Sequence, residues 1–188
     1  MRASVLALIV SVAGVTPLLA QSPPRPSFIR ADTTAYVPRY ELPNGRQLVV
    51  VYVGGSETVG LPQFSAAVRD MKPLLARQAA QRGLPLSIIG VSIDWEVEKS
   101  YARLQSMGPW DEVVLGNNWI NVGAQHYLWR RPDGKSNTPQ VLVFERTITR
   151  QEKTIRFGEE RRLTGFVGWS DIVAWVRNGA PLPAEEKR

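Results

Sequence analysis

The chain has 188 residues, 44% hydrophobic and 21% charged, with 15 glycines, 14 prolines, a formal net charge of +6 and no cysteine. This is the balance of a globular protein with one domain and short extensions, long enough to bury a core without crosslinks. The missing cysteines exclude disulfides, a thiolate nucleophile and any zinc or iron–sulfur site built on cysteine.

The first segment reads as an address. Arg2 precedes the apolar run ASVLALIVSVAGV (3–15), and Pro17, Leu18, Leu19 and Ala20 lead into the polar QSPPRPS. This is the layout of a secretory signal peptide over 1–20, cut after Ala20, although Leu18 stands where a small residue is usual. The alternative is a retained anchor, but the run is short for a spanning helix and Pro17 interrupts its end. Cleavage implies export, to a periplasm or the cell exterior, with membrane contact only through an uncleaved leader. Losing the leader removes only Arg2 and leaves a charge of +5. The arginines are scattered apart from the pairs Arg130–Arg131 and Arg161–Arg162, with no aromatic-interleaved basic stripe. The charge therefore favours solubility or anionic envelope surfaces over nucleic acid.

Residues 21–39 form a proline-rich linker and N-terminal extension, and AYVPRYEL (35–42), across its end, is a short edge strand blunted by Pro38. The folded domain is expected over 40–178. PNGR (43–46) turns the chain into QLVVVYV (47–53), a β-branched run typical of a strand buried on both faces and ended by Gly54 and Gly55. Pro62 suits the first residue of a helix, in which Phe64, Val68, Met71 and Leu75 recur at helical spacing. Pro73 predicts a kink or break in that helix, and Gly83 closes it.

LSIIGVSID (86–94) is a second buried strand, with Asp94 as the expected N-cap of a helix through WEVEKSYARLQSM, ended by Gly108–Pro109. A short strand (111–116) and a helix from about Trp119 to Arg130 follow. After the polar RPDGKSN, Thr138–Pro139 opens the strand QVLVFER. TITRQEKTIRF and ERRLTGFVG alternate as a hairpin, Ser170 is the expected cap of a helix through DIVAWV, and 179–188 is a polar tail expected to fray. The six tryptophans are the expected large contributors to packing. Early strands separated by helices favour parallel pairing, and the late hairpin adds antiparallel strands, giving a mixed central sheet with helices on both faces.

Four features of this order resemble the thioredoxin-like superfamily, in its exported thiol-disulfide-oxidoreductase-like and peroxiredoxin-like branch. They are VVVYV with a small-residue loop and a helix, IIGVSIDWEVEKSYARL, NVGAQHYLW followed by Thr138–Pro139 and QVLVFER, and the closing ββα unit. The resemblance covers about residues 40 to 178 and implies a three-layer α/β/α sandwich with a cis-proline at Pro139. Laid on the family pattern, the dithiol motif falls on Thr58-Val59-Gly60-Leu61, so Thr58 and Leu61 replace the two cysteines; Ser56 to Val59 is the other register. Neither supplies a sulfur, and thiol–disulfide exchange needs a thiolate.

The remaining chemistry is sparse. His126 is the only histidine, expected to be half-buried in a helix. Asp94, Glu96 and Glu98 read as a cap with helix-start acids. GWSDI (168–172) lacks the second glycine of a nucleophile elbow, and GGSETVG lacks the lysine and spacing of a P-loop. No catalytic residue, metal or cofactor is assigned. Glu57 stands at the carboxyl end of a parallel strand, where open α/β sheets present their binding crevice. Ser56, Glu57, Thr58, Leu61, His126, Thr138 and Pro139 are therefore the candidate groove. The family's groove receives extended polypeptide, so the resemblance implies a redox-inactive module for binding or scaffolding, with an envelope protein or extended polypeptide as partner. The alternative is a non-redox enzyme or small-ligand binder that reuses the loop.

Overall fold

The computed structural model describes residues 44–56, 62–131, 135–151 and 154–184. The expected leader, linker and first edge strand lie outside the described residues. All that follows belongs to the unit Arg39–Arg188.

Five strands form one sheet: β1 (Gly45–Gly54), β2 (Leu86–Ser92), β3 (Glu112–Val114), β4 (Gln140–Gln151) and β5 (Thr154–Val167), in the spatial order β3-β2-β1-β4-β5. β1 pairs parallel with β2 and β2 with β3, whereas β4 runs antiparallel to β1 and β5 antiparallel to β4. Central β1 is buried from Gln47 to Gly54. Its side chains alternate between two cores, as the period of two requires. Leu48, Val50 and Tyr52 pack under α1 (Pro62–Gln81), α2 (Val97–Met107) and α4 (Trp169–Arg177). Val49, Val51 and Val53 face a much smaller cover, α3 (Val122–Ala124) and the π turn Gln125–Trp129 that continues it. Helices thus cover both faces and the chain closes with a ββα unit, so the three-layer α/β/α sandwich read from the sequence is present.

The structure corrects several local expectations. Helix α1 runs unbroken through Pro73, which is exposed. Met71 and Leu75, on either side, are fully buried. A proline costs about 3 kcal/mol inside a helix, and two buried side chains at about 1.5–3 kcal/mol each offset it. Asp94 does not cap α2, whose first residue is Val97 with Glu96 before it; its carboxylate is engaged elsewhere, as described below. Ser170 lies inside α4 rather than capping it, because Gly168 precedes the first helical residue.

The tail is docked over 179–183. Gln78 Nε2 donates to Ala180 O at 2.7 Å, Leu182 N–H donates to Gln78 Oε1 at 3.1 Å, and Trp175 Nε1 donates to Pro181 O at 3.0 Å. Of the tryptophans, Trp175 is buried, but Trp95, Trp129 and Trp169 are among the exposed large side chains.

Candidate functional site

Where β1 ends, its backbone must pass over its own Tyr52. A Cβ on Gly54 would collide with the Tyr52 ring and hydroxyl, so only glycine fits there. Gly54 O accepts Ile93 N–H at 3.1 Å, which joins the exits of β1 and β2. Asp94 then fixes the root of the following loop. One carboxylate oxygen accepts Ser56 N–H at 2.7 Å, and the other accepts Ser92 Oγ–H at 3.0 Å. Arg103, from α2, lies behind this cluster, 3.8 Å from Asp94 and donating to the Tyr52 hydroxyl at 3.2 Å.

On the opposite side of the exit, the pairing of Val53 with Gln140 sets Pro139 beside Gly54. The Thr138–Pro139 peptide is cis, and Pro139 O accepts Gly168 N–H at 2.8 Å. Ser56, Thr138 and Pro139 therefore stand at one end of the sheet. Glu57, Thr58 and Leu61, the remaining loop candidates, lie outside the described residues.

A third segment completes this end. Asn117 and Asn118 both adopt left-handed backbone (φ 54° and 48°), which asparagine tolerates better than most residues. Asn121 then holds the start of α3: its side-chain oxygen accepts Ala124 N–H at 2.7 Å, while its amide donates to Ser92 O at 2.7 Å and Asn118 O at 2.8 Å. This clamp sets Trp119 against the end of β2. The result is a cleft of about 260 Å³, lined by Ser56, Asp94, Trp95, Lys99, Asn118 and Trp119 among others. Trp95 is 74% exposed on its rim, and Val97 and Ile120 are exposed on the two segments that frame it.

The strand order, the crossover through α1 and the hairpin-and-helix close decide the architecture. The fold is thioredoxin-like. No protein-family model matches the chain, and no curated protein does either. Among solved structures it is similar to a thiol:disulfide interchange protein, thioredoxin family protein, from Chlorobium tepidum TLS, at 13% identity and a TM-score of 0.37, over 72% of this chain and 81% of that one. It is also similar to BsSco, a member of the Sco family of cytochrome c oxidase assembly proteins, at 12% identity and a TM-score of 0.32, over 71% of this chain and 80% of the other. With no cysteine anywhere in the sequence, this thioredoxin-like chain cannot perform thiol–disulfide exchange.

The structure does not bring His126 to Ser56, Thr138 or Pro139. It stands on the π turn, largely exposed, with Nε2 2.9 Å from Glu160 Oε2 on β5. Glu160 pairs with Arg146, which in turn faces Gln47 at the start of β1. His126 thus belongs to the opposite end of the sheet from Ser56 and Pro139, where it lines a separate cavity with neither of them.

Sequence reasoning missed Lys72. It lies on the core side of α1, 6% exposed, and donates through Nζ to Met107 O at 2.7 Å and to Pro109 O. Its ammonium also sits 3.8 Å from the centre of the Trp110 ring. Burial lowers its pKa from 10.5 to about 8, with the Asp111 carboxylate opposing. The signal was available: Lys72 follows Val68 by four residues, on the same helical face.

Proposed function

We propose that the protein is an exported, redox-inactive polypeptide-binding module whose cleft at the carboxyl ends of β1 and β2 receives an extended segment of an envelope protein. The observation that carries this is Trp95. Trp95 is 74% exposed on the rim, and Val97 and Ile120 are exposed on the segments that frame the cleft, so apolar surface is gathered there rather than scattered singly. Aromatic anchors beside a fixed pocket are what binding surfaces use most.

The chemistry of the cleft fits such a segment. Trp95 and Trp119 offer an apolar seat for a polypeptide side chain, and Lys99 and Asp94 offer charge of both signs. Loss of the cysteines removes the chemistry of the loop and leaves the crevice.

The test is site-specific photo-crosslinking from positions 95 and 57, with position 177 on α4 as control, in the envelope of the native host. Discrete protein adducts from 95 or 57, absent from 177 and lost in Asp94→Ala, support the reading. A folded, exported domain that gives no adduct from either loop position overturns it.

A further inference from the structure

The thinly covered face holds a second concavity at the other end of the sheet. Its volume is about 720 Å³, the range of small-molecule sites, and Arg130, Arg131, Arg146, Tyr127, Phe157 and Glu160 are among its lining residues. Two guanidiniums enter it in fixed poses. Arg131 lies 3.9 Å from the centre of the Phe144 ring, and Arg146 lies 4.7 Å from that of Phe157. Stacked this way, a guanidinium keeps its N–H edge free to bond in its own plane. Arg146 is 5% exposed and is set from behind by fully buried Gln47, whose amide oxygen, turned toward it, accepts from Nε and from a terminal nitrogen at 2.8 Å.

Glu160 is the carboxylate these groups share. Arg131 Nη2 donates to it at 2.8 Å, Arg146 Nη1 is 3.6 Å away, and His126 approaches from the rim. A purely structural network would close in charge and in hydrogen bonds. This one does neither: three arginines line the cavity against two carboxylates, Glu112 and Glu160, and the buried Arg131 Nε finds no acceptor among the described residues. A buried polar group left without a partner keeps its desolvation cost, more so when charged. Burial also holds the Tyr127 phenol above its ordinary range, so it stays protonated. The exposed Phe157 face supplies an apolar wall.

We propose that this cavity is a binding site for a small oxyanion, a carboxylate or phosphate, held by Arg130 and Arg131 with its apolar body against Phe157. Arg146 and Gln47 position the site from behind. Exposed His126 shares Glu160 Oε2 with Arg131, so part of the arginine charge is already balanced beside the site.

The experiment is calorimetric titration of the folded protein with inorganic phosphate and, separately, with benzoate, at constant ionic strength in chloride. Saturable one-site binding of either probe is expected, phosphate marking a phosphoryl ligand and benzoate an organic acid. Arg130→Gln and Phe157→Ala, both at exposed positions, each weaken it several-fold. Arg131→Lys keeps the charge but loses the planar fork and weakens it about tenfold, with circular dichroism confirming the fold. Arg177→Gln leaves binding unchanged. No saturation by either probe up to about 20 mM, which bounds the binding free energy below about 2.3 kcal/mol, overturns the proposal. So does binding that is indifferent to the Arg130, Arg131 and Phe157 variants.

Discussion

The two faces of the sheet are covered very unequally. Three helices, including the 20-residue α1, bury one face. The other has a three-residue α3, a 3₁₀ turn at Asn118–Ile120 and a π turn at Gln125–Trp129. A short cover cannot reach both ends of the strands, because each helical residue advances the chain only about 1.5 Å against about 3.3 Å for a strand. The thick face buries a continuous core, and its concavity of about 480 Å³ lies between α1 and α4 rather than at a strand end. The thin face keeps a core at its middle and leaves a concavity at each end, the Trp95–Trp119 cleft at one and the arginine cavity at the other.

The widest test of this contrast is stability. Phe64→Ala removes a fully buried ring from the thick face and should cost about 3–5 kcal/mol, seen as an earlier urea midpoint for the whole domain. Leu128→Ala on the thin face should cost about 2 kcal/mol, at the lower end for a leucine. Amides of 118–129 should exchange through local opening rather than global unfolding. Equal losses and a common exchange rate across both faces would contradict the picture.

Lys72 sharpens it further. Below about pH 8 both folded and unfolded chains carry its proton, and the folded chain bears the cost of burying the charge. Between about 8 and 10 the unfolded chain retains a proton that the folded chain releases, so stability rises with pH. Above 10 the trend reverses, because Tyr127, raised by burial, keeps its proton when folded and loses it when unfolded. The measurement is the urea midpoint from pH 7 to 10 in wild type and Lys72→Met. The rise should be present in the first and absent in the second.

How legible this was in the sequence depends on range. QLVVVYV announced a strand buried on both faces, and the chain order of strands and helices sufficed for the mixed sheet, because those signals are local and periodic. Asp94 shows where local reading stops. An acid three residues before a helix looks like a cap, yet its carboxylate binds Ser56 N–H, 38 residues earlier. Gln78 and the segment 179–183 meet across about a hundred residues, so the tail read as loose. One polar histidine in the sequence gives no sign of which end of the sheet it serves; the strand register separates His126, beside Glu160, from Ser56 and Pro139. The arginine cavity was hidden for the same reason, since Arg131 follows the π turn while Arg146, Glu160 and Gln47 come from three different strands.

Asn121→Ala gives a smaller, local effect. It removes the cap of α3 and leaves Ser92 O without that donor, at a cost of about 2 kcal/mol. The loss should loosen the cleft before the cavity, because Asn121 ties Trp119, not Tyr127, to the end of β2. Trp119 and Trp129 touch through their rings at 5.7 Å, and Trp129 Nε1 donates to Trp119 O at 2.7 Å, so tryptophan fluorescence reports that loosening.

Trp95→Ala should have the smallest effect on stability and the largest on partner capture. Its ring is mostly in water, so truncation shifts the urea midpoint by no more than about 0.5 kcal/mol. Burial of that ring by a partner is worth far more, about 2 kcal/mol or above for a central aromatic anchor. Crosslinking from position 57 should therefore fall sharply in Trp95→Ala while the fold is untouched. A variant that loses stability and keeps its adducts would move Trp95 from the binding surface into the structure, and the thin face would then have one open site, at the arginines.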